Sequence, residues 1–120
     1  MEQKDLLCDI GHWRIPKENS KKHLECCLWI LNDQKSRRKK FHYTTSRFLQ
    51  LAEAEMSSSD ESWMWINEYE NRDAYDKMMK AMEEDDELVR LRNQWHGKWE
   101  PMMVPGSLKR QLWTERFRVD

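Results

Sequence analysis

The chain has 120 residues, 36% of them charged, a formal net charge of -1 and a mean hydropathy of -1.06. That length suits a single domain over residues 1–120, and seven Trp, eight Met, three Phe and three Tyr supply too much apolar bulk for a disordered chain. The near-zero charge marks neither a nucleic acid nor a membrane surface as partner, no run approaches the about 20 apolar residues of a membrane span, and Met1 to Asp5 carries no signal-peptide pattern, so the expected location is the cytoplasm.

Leu6 to Ile15 reads as the first strand. Leu6, Cys8 and Ile10 share one face, His12 and Arg14 continue it, and Pro16 with Glu18-Asn19-Ser20 ends it. Asn19 or Ser20 is placed to cap a helix from about Lys21, whose stripe is Leu24, Cys27, Leu28 and Leu31, widened by Trp29 and Ile30. Lys35 to Lys40, five basic residues in six, reads as the helix end and a connection leading into Phe41-His42-Tyr43. Arg47 to Met56 reads as the second strand and Ser57 to Glu61 as a turn, so the next strand closes a hairpin.

That third strand, Ser62 to Tyr69, is the most informative stretch. Trp63, Trp65 and Tyr69 point one way, Met64 and Ile66 the other, because strand side chains alternate. Asn71 or Asp73 then opens a helix with Ala74, Tyr75, Met78, Ala81 and Met82 on its inner side. The acidic run Glu83 to Glu87 interrupts it and suits the positive end of a new helix, in which Leu88, Leu91, Trp95 and Trp99 keep helical spacing. Pro101 and Pro105-Gly106 stop the helix, and Leu108 to Val119 reads as the last strand.

The order is β-α-β-β-α-β: an α+β, ferredoxin-like domain with a four-stranded antiparallel sheet. Helices cover one face of such a sheet. Apolar residues on both faces of the third strand therefore predict a homodimer that buries the bare faces against each other.

The stretch Arg47 to Tyr75, with Trp63-Met64-Trp65-Ile66-Asn67-Glu68-Tyr69 leading into Asn71-Arg72-Asp73-Ala74-Tyr75, resembles the dimeric α/β-barrel superfamily, and Leu112-Trp113-Thr114-Glu115-Arg116-Phe117 is similar to its closing strand. That superfamily includes antibiotic-biosynthesis monooxygenases, cofactor-free and haem-degrading enzymes, NIPSNAP-like proteins and uncharacterised environmental-sequence families, and the chain most resembles the last. The resemblance implies a pocket between sheet and helices in each subunit. Haem-degrading members use an Asn, a Trp and a His. This chain has no Asn in its first strand and no His in Leu88 to Arg92, so no haem or other cofactor is expected. In the cofactor-free monooxygenases Trp and Asn on neighbouring strands assist oxygen chemistry, and Trp65 and Asn67 match in residue type.

The candidate pocket residues are Trp65, Asn67 and Tyr69, an aromatic wall with an amide and a phenol; His12 and Arg14, a base and a cation near a strand end; and Trp95, His96 and Trp99, a pocket rim. Each also fits simple packing, in which Asn67 bonds to protein groups. His23, Cys26 and Cys27 form the one His/Cys cluster, with no second pair to complete a metal site, so no metal is expected. Glu53 and Glu55 share a strand face and read as solvent-exposed acids, and the odd cysteine count predicts free thiols. The glycines Gly11, Gly97 and Gly106 are too scattered for a phosphate loop. The expected function is small-molecule binding, with cofactor-independent monooxygenase-like oxidation of an aromatic or apolar compound as the reaction. The alternatives are a non-catalytic binding module and an RNA-binding ferredoxin-like domain.

Overall fold

A computed structural model describes residues 6–52 and 59–120. The elements are β1 (Leu7–Pro16), α1 (Ser20–Ser36), β2 (Thr45–Gln50), β3 (Asp60–Tyr69), α2 (Arg72–Glu84), α3 (Asp86–Trp99) and β4 (Lys109–Thr114). The sheet order is β2-β3-β1-β4 with every neighbouring pair antiparallel. This is the ferredoxin-like arrangement, with the second helical connection split in two. No described helix is long and apolar enough to cross a membrane, and all three cysteines are free.

The split has a local cause. Asn71 accepts a hydrogen bond from the Ala74 amide at 2.8 Å and caps α2. Asp85 leaves helical geometry and caps α3, accepting from the Glu87 and Leu88 amides. The basic run then folds back on this junction. Arg37 pairs with Glu87 at 2.5 Å, and Lys40 with Glu87 at 2.9 Å and Asp85 at 3.2 Å. Arg38 donates to the carbonyls of Phe41, Tyr43 and Thr44, which fixes the connection into β2. These contacts join α1 to the α2–α3 junction.

Two elements are shorter than their sequence pattern. The second strand begins at Thr45 and stops at Gln50 rather than running from Arg47 to Met56, and residues 53–58, including Glu53 and Glu55, lie outside the described part. The last strand ends at Thr114, beyond which Phe117 and Val119 are exposed.

The first helix is rotated from its expected stripe. Leu24 and Leu28 are 50% and 53% exposed, whereas His23, Cys26, Cys27, Ile30 and Gln34 are buried. Two polar residues occupy the inner face, each with an aromatic partner. Trp13 Nε1–H donates to His23 Nε2 at 2.9 Å, and the Tyr43 hydroxyl donates to Gln34 Oε1.

The core lies between the sheet and the helices, built on Leu7, Trp13, Ile15, Trp63 and Tyr69 from the strands and on Met78, Leu88, Leu91, Trp95 and Trp99 from α2 and α3. The opposite sheet face carries half-buried Cys8, Ile10 and Met64, buried Ile66, and exposed Leu49 and Trp113.

Candidate functional site

A cavity of about 170 Å³ opens between the helix-facing side of the sheet and the α2–α3 layer. Its floor comes from β1 and β3. On β1, Asp9 and Gly11 lie between Leu7 and Trp13 on the inward side, and Gly11 leaves free the space a side chain would fill. On β3, Trp65, Asn67 and Tyr69 face the same space. The roof is one stripe of α3, namely Arg92, Trp95, His96 and Trp99 at positions i, i+3, i+4 and i+7, which share a helix face. Met78, Met79 and Met82 of α2 close the space with flexible, polarisable side chains.

Aromatic edges hold the wall together. Trp99 meets Trp13 edge-on at 4.6 Å and Trp65 at 5.6 Å, and Phe48 stacks on Trp65 at 4.8 Å. Most of these indoles have polar partners. Trp65 Nε1–H donates to Ser46 Oγ and Trp95 Nε1–H to Asp33 Oδ2, each at 2.9 Å. Trp99 differs: its Nε1 is buried and has no partner. Among the described residues three buried side-chain atoms are unpartnered, Gln34 Nε2, Asn67 Oδ1 and Trp99 Nε1, and all three residues line this cavity. Asn67 therefore does not bond to protein through its oxygen, contrary to the packing expectation.

The charges are uneven. Asp9, 7% exposed, receives a two-pronged pair from Arg110, Nε to Oδ1 at 2.7 Å and Nη2 to Oδ2 at 2.5 Å. Arg92 is half-buried and has no ion-pair or hydrogen-bond partner among the described residues. His96 Nδ1 lies 2.9 Å from Glu100 Oε1, a carboxylate-oriented imidazole at the cavity. Burial raises the Tyr43 and Tyr69 hydroxyls far above the ordinary phenol value, so both stay neutral donors.

Of the residues singled out in the sequence, Trp65, Asn67, Tyr69, Trp95, His96 and Trp99 come together here. His12 and Arg14 do not. They lie on the opposite sheet face, His12 across from Met64 and Lys109, and Arg14 paired with Asp60 at 3.0 Å. The inward set of β1 is Leu7, Trp13 and Ile15, on the face opposite Cys8, Ile10, His12 and Arg14. Asp9 and Gly11 hide that set by interrupting it, and they do so because they line the cavity. Gln34, Arg92 and Arg110 were also missed. Arg92 had a usable signal, its place one turn before Trp95 and His96.

The His23–Cys27 pair is part of the core. Cys27 Sγ sits 3.7 Å from His23 Nε2. Desolvation lowers His23 to about 4 and pushes the Cys27 thiol up to about 12, so both groups are neutral near pH 7. Among the described residues no group of three or more His, Cys, Asp or Glu side chains is placed to hold a metal ion.

No family model matches the sequence, and no curated protein matches it. Solved structures do match in fold. A candidate antibiotic biosynthesis monooxygenase from Caulobacter crescentus CB15 aligns with a TM-score of 0.61 and 9% identity, over 95% of this chain and 92% of that one. A variant of SnoaB, a cofactor-independent oxygenase from Streptomyces nogalater, gives 0.53 and 10% identity over 96% and 97%. A hydroxynitrile lyase from Passiflora edulis gives 0.62 and 7% identity over 98% and 100%. An oxygenase and a lyase on one fold show that activity has to be argued from the site. In fold, this chain is a ferredoxin-like domain, and it shares that architecture with the candidate antibiotic biosynthesis monooxygenase and with SnoaB.

Proposed function

We propose that the chain binds a small aromatic compound in the cavity between the sheet and α2–α3 and oxidises it without a cofactor. The observation that carries this reading is the lining. Aromatic and Met side chains form the walls, and three of the lining residues carry a buried polar atom that the protein leaves unpaired, whereas a packed core pairs nearly all such groups. The volume is close to the about 150 Å³ of an engineered protein cavity that admits benzene.

The fold likeness to SnoaB supports oxygenation as the reaction class. Such a reaction removes a proton from an activated aromatic CH2 group, passes electrons from the carbanion to dioxygen, and ends with C=O and one water. The chain offers His96 as the base. With Nδ1–H directed at Glu100, Nε2 is the nitrogen left to accept the proton. The aromatic and Met side chains of the wall lower the polarity around the reacting atoms.

The domain works as a homodimer through the sheet face that carries Ile10, Met64, Leu49 and Trp113, and its three free thiols suit the cytoplasm. An RNA platform is disfavoured by the direction of the aromatics: Trp63, Trp65 and Tyr69 face the helices, and Trp113 lies on the edge strand.

The test is a cavity filling. A Cβ at Gly11 meets only ordinary contacts, with Leu108 Cδ1 and the Lys109 carbonyl each 4.0 Å away, so the backbone there accepts a side chain, and Gly11→Leu is the substitution that should fill the cavity. Native mass spectrometry and Trp fluorescence titration with phenol and indole should show binding to the wild type and at least a tenfold loss in Gly11→Leu at unchanged circular dichroism. Equal binding by both proteins overturns the reading. An oxygen electrode then separates turnover from binding alone.

A further inference from the structure

Resting on that reading of the cavity, we propose that the compound it takes is an aromatic acid, one ring wide, with its carboxylate on Arg92 and a hydroxyl donating to Asn67 Oδ1. Two independent features meet in this assignment.

The first is charge. Asp9 and Arg110 cancel within a two-pronged pair, and His96 is engaged by Glu100, so Arg92 is the uncompensated cation of the lining. A half-buried guanidinium is partly desolvated, and its flat fork of donors matches a carboxylate better than any neutral group. Its position at the start of the α3 stripe puts it two turns from Trp99, about 10 Å along the axis at 1.5 Å per residue. The charge thus sits at one end of the aromatic wall.

The second is the donor and acceptor balance of the unpaired atoms. Gln34 Nε2 and Trp99 Nε1 can only donate, and Asn67 Oδ1 can only accept. A plain hydrocarbon satisfies none of them, and an ether or ketone satisfies only the donors. A hydroxyl answers both kinds: its proton goes to Asn67 Oδ1, and its lone pairs face the indole or the amide N–H. A ring with a hydroxyl at one end and a carboxylate at the other answers Arg92, Asn67 Oδ1 and one of the two unpaired donors.

The test uses three probes of one size: 4-hydroxybenzoate, 4-hydroxybenzamide and phenol, titrated calorimetrically at low and high salt. The wild type should bind the acid tightest, and salt should weaken that complex alone. Arg92→Gln should weaken the acid about tenfold to a hundredfold and leave phenol unchanged. Asn67→Leu should weaken all three probes while leaving the thermal midpoint of the free protein equal or higher, because it removes an acceptor that has no protein partner. If the amide or phenol binds as well as the acid, or Arg92→Gln lowers every probe equally, the inference is overturned and the cavity reading stands. If none of the probes binds, the inference also fails, and the Gly11→Leu comparison judges the cavity separately.

Discussion

His23 shows what one buried side chain costs and returns. Its ring is fully buried, accepts from Trp13 and packs edge-on against Trp63 at 4.7 Å. Desolvation dominates its titration and lowers it from 6.5 to about 4, partly opposed by the Glu61 carboxylate. Between those two values the unfolded chain binds a proton that the folded chain does not, so stability falls as pH drops from 6.5 toward about 4 and levels off below. The size is at most about 3 kcal/mol. Chemical denaturation of wild type and His23→Gln from pH 7.5 to 4 should show it. Gln keeps an acceptor for Trp13 and cannot titrate, so the wild type's advantage should shrink through that window, and a constant difference would refute the assignment.

At the scale of elements, the helix starts carry the design. Asn71 caps α2 with extended backbone and a side-chain acceptor, and Asp85 repeats the device for α3. Asn71→Ala should therefore cost about 1 kcal/mol, with Asn71→Ser recovering most of it, measured by urea midpoint at constant m. A null effect would mean that packing of Tyr75 and Met78 alone holds the helix start. The sequence narrowed the first start to Asn71 or Asp73 and the second to the acidic run Glu83 to Glu87, because capping needs only residues a few positions apart; the structure selects Asn71 and Asp85. The inner face of α1 was not legible in the sequence. Leu24 and Leu28 outrank His23 and Gln34 on any hydropathy pattern, yet Trp13 and Tyr43, which make the polar pair acceptable inside, come from two other segments.

At the scale of the molecule, the sheet has one covered and one uncovered side. Burying the second in a twofold pair removes Ile10, Met64 and Leu49 from water at about 25 cal/mol per Å². Light scattering at micromolar concentration should report twice the 14.8 kDa chain mass. Trp113 is 56% exposed on the edge strand, so Trp113→Arg should shift the protein toward monomer without lowering the stability of the isolated fold. A dimer that withstands this change together with Ile10→Lys forms through another surface.

By itself the sequence determined the strand and helix order, the two-sided third strand, a helix start at Asn71 or Asp73 and a break within Glu83 to Glu87. All of these are written in periods of two and 3.6 or in spacings of three and four, which local geometry enforces. Only the tertiary structure decided which face of β1 turns inward, because Asp9 and Gly11 blur the alternation and the helices choose the side. It alone joined Asp9 to Arg110, 101 positions apart, and set Arg92 beside the β3 wall. The cavity is likewise a property of packing. Its unpaired atoms belong to α1, β3 and α3, segments that share no spacing and meet only once the sheet has closed beneath the helices.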